Sequence, residues 1–297
     1  MITLGDKLLE GAIDLHCHGY PELSFDLKTR VEDIEACQLA AQAKMKGLVL
    51  KSHMWPTVDK VYQLKNQIKE IEIWSSITLN TSSGGFSPWA VESALKQGAK
   101  VIWMPTWSAK NDIQRGGISN LMKTYLPTLE QLKIEDGLTV FNNSGEIDGK
   151  VKEILSLAKD YDVAISTGHL SVDESLAIGR EARKMGFKKL IFCHPASNAV
   201  NAQTEHIRAM AEMNFFIEFT FIIMLPLHHR ISPKEVCSWI KQIGAKRFIL
   251  TTDAFYEWPP PPCELMRMFI GILLKEGVTE EEIKTMVRTN PEELLNV

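Results

Sequence analysis

No CxxC pair occurs in the 297 residues, and the five cysteines (Cys17, Cys37, Cys193, Cys237, Cys263) are odd in number and widely spaced. A disulfide framework is therefore not expected, and a reducing cytoplasm is the simplest setting. The opening stretch, MITLGDKLLEGAID, lacks a basic segment followed by an apolar one, so no signal peptide is expected. Long hydrophobic runs are missing too. The most apolar window, NFFIEFTFIIMLPL, is too short to span a bilayer and carries Glu218. Neither sign of charge dominates: the net charge is −4, with both signs mixed along the chain. Nothing here predicts a nucleic-acid or membrane partner. Finally, no glycine-rich nucleotide fingerprint follows the first apolar run, which argues against an open doubly wound sheet.

What is present is a recurring pattern. Apolar residues make up 45% and charged residues 24%, as in a soluble globular protein. Eight short apolar, β-branched runs stand at 12–19, 47–54, 72–80, 100–107, 163–170, 189–196, 215–221 and 247–254. Such runs suit parallel strands buried on both faces. Helical patterns separate most of them. TRVEDIEACQLAAQAKMKG is expected to end on Gly47. Ser87 with Pro88, Ser171 with Glu174, and Ser232 with Pro233 and Glu235 mark helix starts. Two helices are expected near the end, over roughly 279–296. Eight strand–helix units in one domain, 1–297, predict an α/β fold of the TIM (β/α)8 barrel type. Residues 108–150 are too long for a simple connection. They read as an insertion between strands four and five, with a hairpin at DGLTVFNNSG (136–145), of the kind that often covers an active site.

The unusual residues fall at the ends of these runs, where a TIM barrel gathers its catalytic groups. His16 and His18, two apart in a strand, share one face. The second run ends with Lys51 and His53, the fifth with His169 and the sixth with His194. The seventh carries Glu218 and the eighth ends with Asp253. Five of the eight histidines thus sit at predicted strand ends. Each residue alone has a plain structural reading. His169 can contact backbone at a helix entry, His194 can serve the turn before Pro195, and Asp253 can cap the element after its strand. A lone Glu218 in an apolar strand is costly unless it is a ligand or is paired with Lys51 or Arg230. His228 and His229 are expected to face solvent.

Taken in order, DLHCHG, STGHLS, IFCHPAS and TTDAF resemble the metal-site strands of the amidohydrolase superfamily, over the whole length of the chain. That resemblance implies a metal-dependent hydrolase in which His16, His18, His169, His194 and Asp253 surround one or two divalent ions. Zinc is the first expectation, with manganese, nickel and iron as alternatives. Asp253 is then the proton carrier, and His194 either completes the metal shell or polarises a carbonyl. Binuclear members often have a bridging carbamylated lysine on strand four, which this chain lacks. Lys51, on strand two, is the candidate for that role, or else it stays cationic and grips an anion. His53 and Glu218 are further metal candidates, and Lys51, Arg230 and Trp258 are substrate-binding candidates. The expected substrate is a small-molecule amide, cyclic amide or lactone. The KSH stretch also resembles polymerase-and-histidinol-phosphatase domains, so a phosphoesterase is one alternative. A non-oxidative decarboxylase and a barrel that keeps metal without turnover are two more. A homodimer is the expected assembly.

Overall fold

Eight parallel strands run in one sheet in their sequence order, which is the (β/α)8 topology of a TIM barrel. The computed structural model describes residues 3–226, 228 and 230–297. The strands are β1 (Ile13–His18), β2 (Gly47–Lys51), β3 (Glu72–Thr78), β4 (Ala99–Trp103), β5 (Ala164–Ser166), β6 (Leu190–Phe192), β7 (Phe216–Thr220) and β8 (Phe248–Thr251). Seven fall inside their apolar runs, and β4 starts one residue before the 100–107 run, at Ala99. The runs are apolar throughout because nearly every strand residue is buried, as a helix-covered parallel sheet requires. Among the described residues no helix is long and apolar enough to cross a membrane.

The chain divides into two compact units. The first comprises residues 1–51, 57–75 and 218–297. Within it β1 pairs with β2, bringing His18 beside Lys51, and Cys17 bridges to Ala254 just past β8. The β2–β3 register sets Gly47 opposite Glu72. Gly47 does not end a helix, as the sequence suggested. The helix before it spans Asp33–Gln42, and Gly47 opens β2. The left-handed residue past that helix is Lys44, at φ 57°, and glycine is needed at 47 for room, since a Cβ there would lie 2.1 Å from the Trp74 ring.

The second unit comprises residues 52–56 and 76–217. It holds β4, β5 and β6 in consecutive parallel pairing, together with the start of β7. The insertion lies in this unit and is more helical than expected. It contains helices Lys110–Arg115 and Ile118–Tyr125 and two short 3-10 turns. The expected hairpin shrinks to one antiparallel bridge between Phe141 and Ile147. Glu174 pins this segment, accepting hydrogen bonds from Thr139 Oγ1 at 2.6 Å and the Val140 amide at 3.1 Å. The same carboxylate closes the expected capping box with Ser171.

Candidate metal centre

In the first unit β1 places His16 and His18 on one side of the strand, with ring centroids 5.3 Å apart. Asp253 follows β8 in the left-handed region, at φ 53°. Such a conformation costs a non-glycine residue about 1–3 kcal/mol and persists only where neighbours hold it. Asp14 supplies the hold. Its Oδ1 accepts from the amides of His16 and Thr252, both at 3.1 Å, and its Oδ2 accepts from Thr252 Oγ1 at 2.5 Å. The Asp253 amide in turn donates to the His16 carbonyl at 2.8 Å. One buried carboxylate therefore fixes β1 and the β8 end together.

The outcome is a convergence of ligand-type atoms. Nε2 of His16 and Nε2 of His18 each lie 3.1 Å from Oδ1 of Asp253. The far nitrogen of each ring faces a buried carboxylate. His16 Nδ1 is 3.0 Å from Glu218 Oε1, and His18 Nδ1 is 3.3 Å from Glu22 Oε1. Glu218 also accepts from Thr251 Oγ1 at 2.9 Å. A carboxylate on Nδ1 selects the tautomer with its proton there and turns the Nε2 lone pair inward, the usual support of a metal-ligating histidine. Beside Asp253, His16 Nε2 also meets Lys51 Nζ, at 2.9 Å, a residue that is 1% exposed.

Electrostatics follow this geometry. Burial works to raise the Asp253 carboxyl, but His16 and then His18 outweigh it and hold the group well below the usual carboxylate range. Burial works to lower His16; Asp253 opposes it, Lys51 adds to the lowering, Glu218 raises, and the balance lies above the ordinary imidazole value. Asp14, raised chiefly by burial, reaches about 6.

The second unit repeats the device. Asp112 accepts from His169 Nδ1 at 2.6 Å and from the Ser119 amide at 2.8 Å. Burial would raise this carboxyl, but the His169 hydrogen bond and charge keep it below its ordinary value. Gly168, at φ 56°, allows the turn into His169, because a Cβ there would meet the Met104 carbonyl at 2.3 Å. His194 Nδ1 lies 2.9 Å from Ser197 Oγ. Ring centroids of His169 and His194 are 4.9 Å apart, and His53 lies 6.4 Å from His169. Asn80 and Trp107 hold the His53 carbonyl at 2.9 and 3.2 Å. Glu22, Asp112 and Ser197, which orient three of the histidines, carry no sequence signal.

The remaining candidates stand further out. Arg230 is exposed, and Trp258 is 48% exposed with its ring stacked on Tyr256. His228 is not the solvent-facing residue the sequence suggested. It is half-buried and stacked on Tyr256, because the aromatic loop after β8 covers it. His229 lies outside the described residues.

As for metal fit, His16, His18 and Asp253 each offer one ligand atom within 4.8 Å of the others. With the imidazoles neutral, Glu22, Glu218 and Asp253 against Lys51 leave two formal negative charges in this buried group. One divalent cation balances them, which is what buried charge requires.

No curated protein matches the chain. Solved structures do. An amidohydrolase from Pseudomonas aeruginosa is similar at 11% identity and TM-score 0.61, over 99% of this chain and 99% of that one. A mutant of a PTE-like lactonase from Deinococcus radiodurans gives 13% and 0.58, over 99% and 97%. A probable 2-pyrone-4,6-dicarboxylic acid hydrolase from Acinetobacter baumannii, with citric acid bound, gives 10% and 0.57, over 97% and 100%. At these identities the likeness establishes the shared fold. The family model described as a family of unknown function (DUF6282) matches residues 11–218, most of the sequence, and the chain belongs to that family.

Proposed function

We propose that the chain is a metal-dependent hydrolase of the amidohydrolase type, acting on the amide, cyclic amide or lactone bond of a small molecule. The observation that carries this reading is the meeting of two inward-turned Nε2 atoms with Asp253 Oδ1 at 3.1 Å each. Two imidazole nitrogens and one carboxylate oxygen brought that close form a ligand set suited to one divalent cation. The structural relatives support the reaction class, since they include an amidohydrolase and a lactonase.

His16, His18 and Asp253 would hold the ion, and imidazole with carboxylate suits Zn²⁺ first, then Mn²⁺, Ni²⁺ or Fe²⁺. When bound, such an ion supplies Lewis acidity and lowers the pKa of a water from about 15.7 to about 7. The chain's own residues do the rest. Glu218 and Glu22 keep the two rings in the tautomer that points a lone pair inward. Asp253, held ionised, accepts the proton that the attacking water gives up and returns it to the leaving nitrogen or oxygen. His169 and His194 carry the same Nδ1-anchored arrangement in their own unit, in keeping with the metal role the resemblance gives them.

Panels of amides, lactones and phosphomonoesters, screened with wild type beside Asp253→Asn, test the proposal. Turnover of an amide or lactone that falls by about 10²–10⁴ in the variant supports it. Turnover confined to phosphomonoesters, or equal in both proteins, contradicts it.

A further inference from the structure

Two neighbours of His16 Nε2 make opposite demands on it. Lys51 Nζ, at 2.9 Å, only donates; Asp253 Oδ1, at 3.1 Å, only accepts. With the ring proton on Nδ1 toward Glu218, the Nε2 lone pair is taken up by the Lys51 ammonium. A divalent ion needs the same lone pair. An sp² nitrogen has one, so ammonium and metal cannot both hold it.

We propose that Lys51 is an internal counter-cation of the metal centre. Its ammonium holds the His16 Nε2 lone pair in the metal-free protein, and the entering ion must displace it. This inference rests on the metal-binding reading above and goes beyond it, because it gives Lys51 a role toward the metal that is the opposite of a ligand's. Burial gives the role its energetic basis. Lys51 is 1% exposed at the end of β2, so its charge sits among the buried carboxylates and offsets part of their repulsion when no other cation does. The same charge then stands against a second cation at the same place, lowering the affinity for metal. It is a device for keeping the centre ordered when empty, with looser metal retention as its consequence. A lysine carboxylated at Nζ, by contrast, is an anion and adds to metal affinity.

The test is a titration of chelator-treated protein with Zn²⁺ and with Co²⁺, by calorimetry and by the visible absorption of Co²⁺. Wild type is compared with Lys51→Met, which keeps side-chain length without charge, and Lys51→Gln, which keeps a donor without charge. The inference predicts tighter first-ion binding in both variants, by about tenfold, the lower end of effects seen beside metal ligands. It also predicts that metal-free Lys51→Met melts below metal-free wild type and gains more on adding Zn²⁺. Should Lys51→Met fail to fold, the Lys51→Gln titration decides alone. Equal affinities overturn the inference and leave the metal reading standing. Weaker binding in the variants, with an added carboxyl group in the intact mass of loaded wild type, overturns it in favour of a lysine ligand. Binding by none of the proteins overturns the metal reading and this inference with it.

Discussion

His16 Nε2 and Asp253 Oδ1 stand 3.1 Å apart, joined across 237 positions of sequence by the pairing of the β1 and β8 ends. Neither atom can be satisfied by the other while His16 keeps its proton on Nδ1. That relation, and the matching one at His18, is the physical basis for placing a cation here.

The carboxylate behind the ring can be tested first. Glu218→Gln keeps the shape but removes the charge that fixes the His16 tautomer. Metal affinity is expected to fall about 10–100-fold while the fold is retained. Competition with a metallochromic chelator measures it; an unchanged affinity means that Glu218 does not orient the ligand.

Asp14 sets a pH dependence of stability. Its carboxyl titrates near 6 in the folded protein against 3.8 ordinarily, chiefly because it is buried. A raised carboxyl favours the neutral form in the native state. Its penalty is therefore absent below about pH 4, grows as pH rises toward 6, and is constant above that, at about 3 kcal/mol. Asp14→Asn keeps an oxygen for the His16 and Thr252 amides and sets its NH₂ against the Thr252 hydroxyl oxygen. Denaturant titrations from pH 4 to 7, with chelator present, are expected to show the variant gaining on wild type by about that amount. Parallel profiles would contradict the assignment.

Gly47 carries a packing prediction. A Cβ there meets the Trp74 ring at 2.1 Å and the Glu72 carbonyl at 2.7 Å, both on the neighbouring strand β3. Gly47→Ala should cost about 2–3 kcal/mol or more, as overpacking of a buried site does. Urea midpoints measure the loss, and a change under ~0.5 kcal/mol would show that the strands separate without strain.

Much of this was legible in the sequence, for a physical reason. A buried parallel strand must be apolar on both faces, so all eight strands announced themselves as apolar runs. The two-residue period of a strand told equally well that His16 and His18 share a face. Local chemistry also marked the helix starts at Ser87, Ser171 and Ser232. The failures were of other kinds. Gly47 carries the signal of a helix end, but what requires glycine there is room beside Trp74, which no local pattern reveals. The short helices of the insertion are interrupted by Gly116 and Gly117 and were outweighed by the hairpin-like 136–145 stretch. The orienting groups were hidden most deeply. Asp112 lies 57 positions from His169 and looks like any helix carboxylate until the fold sets it on Nδ1. Glu218 did leave a trace, as a lone carboxylate in an apolar strand.

Metal stoichiometry tests the central claim most directly. Elemental analysis of wild type and His16→Ala, purified without chelator and re-equilibrated with equimolar Zn²⁺, Mn²⁺, Ni²⁺ and Fe²⁺, counts the bound ions. The account predicts at least one divalent ion per chain in wild type and a clear loss of it in a variant that remains folded. Equal metal in both, or none in either, would contradict it.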